Sequence, residues 1–168
     1  MLAQGNPEQN LPSVSRITGR LLLDNSAFPR PGPQWGQNWE KEDLPWYYAA
    51  PSSALACNRN AVRMTVRGTR HGQPATITLY PETKLFTIVN NTVTSSRVST
   101  GAITVKPNGY RLSINGYVAP GVELTEDVSV QSPEWFIREQ FTAALASEGI
   151  IIESNNLPSV DRVLLAEH

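Results

Sequence analysis

Residue types able to do covalent or acid–base chemistry are sparse in this chain and poorly grouped. Cys57 is the only cysteine, and His71 and His168 are the only histidines. A thiol becomes a useful nucleophile only when a base or a cation stabilises its thiolate. Cys57 stands beside Ala54, Leu55 and Ala56, where it reads as a small packing residue. One cysteine and two histidines make no metal-ligand cluster, so neither a metal nor another cofactor is expected. Glu42, Asp43, Glu123, Glu126 and Asp127 offer carboxylates for an acid/base pair. Clustered acids near a turn commonly just solvate it, and no nucleophile or phosphate loop accompanies them. Arg59, Arg63, Arg67 and Arg70 with His71 form a local basic strip. It reads either as a polyanion-binding face of a free-standing β-rich module or as the solvated face of an antiparallel strand. The formal net charge of -1 favours the solvated face and predicts no nucleic-acid partner.

The elements that would position these residues are mostly strands. The chain has 168 residues, 40 % of them hydrophobic, enough for one compact domain or two small ones. Residues 1–13 read as a loose leader without periodicity. That polar N-terminus is not a signal peptide, and no run of about 18 apolar residues predicts a transmembrane helix. Arg16–Asp24 reads as a strand, apolar on both faces through Leu21, Leu22 and Leu23 and therefore buried. Asn25–Trp46 is a long loop carrying Trp35, Trp39 and Trp46. Tryptophan is costly to leave in water, so these rings pack on the domain or bind something.

From Ala61 the period is two. Val62, Met64 and Val66 alternate with Arg63, Thr65 and Arg67, and Ala75, Ile77 and Leu79 alternate with Thr76, Thr78 and Tyr80. Further strands are expected over 85–94, around Ile103 and Val105, over 110–115 up to Gly116, and over 122–130. Ser132-Pro133-Glu134 then starts a helix with buried face Ile137, Phe141, Ala144 and Leu145, ended by Gly149 as a left-handed C-terminal cap. Ile150–Ile152 reads as a buried strand. The fold class expected is α+β, mostly β. A small α/β unit of residues 14–60 plus 131–168 surrounds a nested antiparallel β module of residues 61–130.

The order of these pieces carries a resemblance. Gly-Arg-Leu-Leu-Leu-Asp-Asn-Ser-Ala-Phe at 19–28, the stretch from Trp39 through Asn60, the pair Asn90-Asn91 and the helix from Ser132 to Gly149 are together similar to the class C low-molecular-mass penicillin-binding proteins. These D-alanyl-D-alanine carboxypeptidases and endopeptidases trim bacterial peptidoglycan. The similarity implies a serine catalytic domain of β-lactamase type, interrupted by an insert of two nested domains. Its catalytic set is Ser-x-x-Lys, Ser-x-Asn and Lys-Thr-Gly. No serine here has lysine three residues on, and Lys-Thr-Gly is absent; Ser99-Thr100-Gly101 lacks the lysine. Ser113-Ile114-Asn115 and Ser154-Asn155-Asn156 match the three-letter pattern alone.

The resemblance therefore points to the insert of a longer exported enzyme, located in the periplasm or cell envelope, with the signal peptide upstream. This chain is expected to be inactive by itself. Its partners would be the catalytic domain of the parent chain and the peptidoglycan peptide. The family's substrate-holding aspartate and phenylalanine correspond to Asp24 and Phe28. There a carboxylate pairs with the ammonium of the peptide's diamino-acid side chain, and the ring packs on its aliphatic stem. The alternative is that Asp24 makes an Asx-turn with Asn25 and Ser26 while Phe28 is core. An insert must return to its host, so Ser15 and Val163 are expected on one side of the molecule.

Overall fold

A computed structural model of the chain describes residues 14–19, 21–27, 35–36 and 38–153. Phe28 and Val163 lie outside the described residues. The fold is α+β and mostly β, and the described residues fall in two compact units, one of residues up to 22 together with those from 142 on, the other within 23–141.

In the first unit, β1 (Arg16–Ile17) pairs in parallel with β8 (Ile151–Ile152), Arg16 opposite Ile151 and Ile17 opposite Ile152. The Ile151 amide donates to the Ser15 carbonyl at 3.1 Å, and the Glu153 amide to that of Ile17 at 3.0 Å. A salt bridge between Arg16 and Glu153 (2.6 Å) lies alongside. The ladder is shorter than the leucine run suggested. Leu21–Leu23 belong to no strand, and Leu22 is 51 % exposed. The bend at Gly19 takes the chain off the ladder before the leucines, and a two-stranded ribbon can cover only one of its faces. Ile151, expected buried, is exposed for the same reason.

The larger unit stacks two three-stranded sheets on a shared core. One has the order β3-β2-β7, formed by β3 (Thr76–Tyr80), β2 (Ala61–Arg67) and β7 (Glu123–Ser129), all antiparallel. The other has the order β4-β6-β5, formed by β4 (Thr87–Thr94), β6 (Arg111–Val118) and β5 (Gly101–Asn108). Alternation decides what faces inward. Val62, Met64 and Val66 of β2, Leu112, Ile114 and Val118 of β6, and Val128 of β7 are buried and join Phe86, Val130 and Phe136 in one cluster.

Two details differ from the sequence reading. β4 and β6 run parallel, because the β5–β6 hairpin returns β6 between its two predecessors. Gly116 does not end β6. It sits at φ +126°, and a Cβ there would come within 2.1 Å of the Ala102 carbonyl oxygen. The strand thus continues through a close approach that only glycine permits.

Helix α1 (Pro133–Ser147) begins with proline at its first position, where no amide is needed. It ends in a Schellman arrangement: Gly149 lies at φ +76°, the Ile150 amide donates to Leu145 and the Gly149 amide to Ala146. The buried contact is Phe136, with Pro133; Phe141 is 46 % exposed and Ala144 is exposed. The expected face is therefore rotated. Polar clamps fix this rotation. The Glu139 carboxylate accepts from the Thr83 hydroxyl and the Lys84 amide, and the Gln140 side chain donates to the Glu82 carbonyl.

Candidate functional site

Asp24 stands near the start of the larger unit, and the residue after it explains its orientation. Asn25 turns inward and is 8 % exposed. Its amide nitrogen donates to Glu134 Oε1 at 2.8 Å, and its amide oxygen accepts from the Ser53 hydroxyl at 3.1 Å. Ser53 Oγ in turn accepts from the Leu55 amide at 3.3 Å. The first turn of α1 and the 51–55 segment thereby hold the backbone at Asn25. With Asn25 committed inward, Asp24 stands on the exposed side. Its Oδ1 accepts from the Ser26 amide at 2.8 Å, which closes an Asx-turn. The turn and an exposed Asp24 coexist, since the Asx bond is made to the backbone two residues on. Sequence reasoning singled out Asp24 and missed Asn25, Ser53 and Glu134. The acid in the first turn of α1 was the one available signal.

The tryptophans divide. Trp46 packs against the core and bridges to Val128 of β7. Trp35 and Trp39 are 38 % and 43 % exposed. Trp39 and Tyr47 each set a ring 5.7 Å from that of Tyr48. The Tyr48 hydroxyl donates to Asp43 Oδ1 at 3.1 Å. Partial desolvation, then that bond and the Asp43 charge, push the phenol above its ordinary value.

Two arginines of the basic strip are paired across β2 and β7. Arg63 grips Asp127 with two parallel bonds, Nε–Oδ1 at 2.8 Å and Nη2–Oδ2 at 3.0 Å. Arg67 meets Glu123 at 3.5 Å. The hydrogen bonds from Arg63 hold the Asp127 carboxyl below the usual carboxylate range, against partial desolvation. The same carboxylates were the candidates for an acid/base pair, and here they serve as counter-ions. Cys57 is half-buried against the core. In the Asn90-Asn91 pair, Asn90 is a clamp: its side chain donates to the Ala75 carbonyl and accepts from Thr92.

The D-Ala-D-Ala carboxypeptidase 3 (S13) family model matches residues 12–167. The chain belongs to this family. No curated protein matches it. Among solved structures, it is similar to penicillin binding protein 4 from Haemophilus influenzae. The TM-score is 0.59 at 16 % identity, over 86 % of this chain and 34 % of that one. The same Haemophilus influenzae protein complexed with a novel beta-lactam matches with a TM-score of 0.41 at 12 % identity, over 61 % of this chain and 24 % of that one. The chain thus spans about a third of the length of the first of these structures. The S13 match supplies the family, and the structural likeness supplies the fold.

Proposed function

We propose that this S13 chain is the substrate-positioning part of a serine-type D-Ala-D-Ala carboxypeptidase of the periplasm or cell envelope, acting on peptidoglycan stem peptides. Its sequence holds neither Ser-x-x-Lys nor Lys-Thr-Gly, so the acyl-transfer chemistry falls to a catalytic domain of the parent chain, and these residues wall the cleft. The observation that carries the positioning role is the exposed Asp24, held by its own Asx-turn and by the inward anchoring of Asn25. A carboxylate so placed suits the ammonium of a diamino-acid side chain, with Phe28 against the aliphatic stem.

Two experiments test this. Cell extract is labelled with a fluorescent penicillin and pulled down with an antibody raised against this chain. A labelled band far heavier than 18.5 kDa supports the reading, and an unlabelled band at the chain's own mass overturns it. In the unlabelled parent enzyme, Asp24→Asn should raise KM for a peptide with a free side-chain amine by about tenfold, with little change for the N-acetylated peptide. Equal effects on both peptides would remove Asp24 from the substrate site.

A further inference from the structure

Before β2 the backbone does something that side chains ordinarily resist. Asn58, Arg59 and Asn60 lie successively at φ +47°, +57° and +51°. Asparagine tolerates the left-handed region, whereas a long side chain gains nothing there and pays a steric cost. The turn is held from several sides. The Asn60 side chain donates to the Pro51 carbonyl at 2.9 Å and accepts from the Cys57 amide at 3.3 Å. The Asn58 side chain donates to the Ala61 carbonyl at 2.7 Å, and the Val130 amide donates to the Asn60 carbonyl at 2.8 Å. Glycine or asparagine at the central position would relieve the strain, yet arginine occupies it. Strain retained in a well-braced turn is a mark of function.

The turn borders a shallow hollow of about 140 Å³, lined by Asn58, Arg59, Ala61, Arg63, Tyr80 and Asp127. Across the ladders Arg63 sits between Tyr80 and Asp127. Its guanidinium is already engaged by Asp127. Arg59 is exposed and forms none of the salt bridges found among the described residues. Two guanidinium groups against one carboxylate leave the hollow with one uncompensated positive charge. Tyr80, 74 % exposed, adds a hydroxyl and a ring at its edge.

We infer that this hollow is an oxyanion-binding site, in which the strained turn presents Arg59 to a carboxylate or phosphate group of a ligand. The planar fork of Arg59 supplies the two parallel donors such a group accepts, and the Asn58 amide and Tyr80 hydroxyl supply flanking donors. Asp127 holds Arg63 in place and keeps a second anion off it. The inference stands on the larger unit alone and does not depend on the carboxypeptidase reading.

The test is titration of the ¹⁵N-labelled 168-residue chain with sodium acetate and, separately, inorganic phosphate. Ionic strength is held constant with chloride, and amide and arginine Nε resonances are followed. Saturable shifts confined to residues 58–63 and Tyr80 are expected with at least one anion, and the tighter of the two identifies the ligand's acidic group. Arg59→Gly should weaken binding by about tenfold or more, while its thermal midpoint stays equal to or above that of the parent. Arg59→Lys, which keeps the charge without the fork, should fall between. Shifts that are absent, that chloride reproduces, or that persist unchanged in Arg59→Gly would overturn the inference. So would a large drop in thermal midpoint for Arg59→Gly, which would make Arg59 a structural residue.

Discussion

The side-chain amide of Asn25 donates to the Glu134 carboxylate at 2.8 Å, joining points 109 residues apart in the chain. The bond ties the residue beside Asp24 to the first turn of α1, so the direction of the Asp24 carboxylate depends on the seating of the helix. Asn25→Ala should cost about 1–3 kcal/mol, because it leaves the buried Ser53 hydroxyl without its acceptor and removes the bond to the exposed Glu134 carboxylate. Glu134→Gln keeps an acceptor and should cost less. Urea denaturation of the two variants checks this, and equal small losses would mean the tie carries no weight.

Phe136 is fully buried, and Phe141, five residues on, is 46 % exposed. Phe136→Ala should destabilise by about 3–5 kcal/mol. Phe141→Ala should stay within about 1 kcal/mol of the parent. The reverse order in denaturant midpoints would restore the helix face expected from the sequence.

Gly116→Ala should destabilise by at least about 1–3 kcal/mol, since the backbone at φ +126° is hostile to a side chain and the methyl would meet the Ala102 carbonyl. Gly109→Ala, at φ +57° with open space around its Cβ, bears the conformational cost alone and should lose about 1–2 kcal/mol at most. Thermal unfolding of the pair separates strain from collision.

Acid should weaken the fold in part through Asp127. Arg63 lowers its folded-state pKa below the unfolded value. Its contribution is therefore complete above the unfolded value, near pH 4, and fades as pH falls through the folded one. Asp127→Asn should have a lower thermal midpoint at neutral pH and a shallower decline on acidification. An acid limb parallel to that of the parent would mean the pair contributes nothing.

The sequence made the β framework readable wherever one face of a strand is buried, because that forces alternation: Val62, Met64 and Val66 are the clearest case. The helix limits were readable from Pro133 and Gly149, whose conformational demands are local. The rest depended on partners far along the chain. Alternation in β4 and β6 cannot distinguish parallel from antiparallel pairing, which is set by where the β5–β6 hairpin lands. Phe136 and Phe141 are equally apolar, and only the polar clamps at Glu139 and Gln140 select the face. At the candidate site, Asp24 stood out by type. The inward turn of Asn25 required knowing that Ser53 and Glu134 arrive beside it. The left-handed turn at 58–60 had a signal in its two asparagines, but nothing in the letters marks Arg59 as sharing it.

The parallel β1–β8 pair has a mechanical meaning. Traction applied at Val14 and Glu153 draws two parallel strands along their axes in opposite senses, which loads the ladder in shear. That ladder is only two residues long, and the chain enters and leaves the 23–141 unit through it. Under stretching it should therefore part first, like a clasp, and the six-stranded body should bear load only after the clasp has opened.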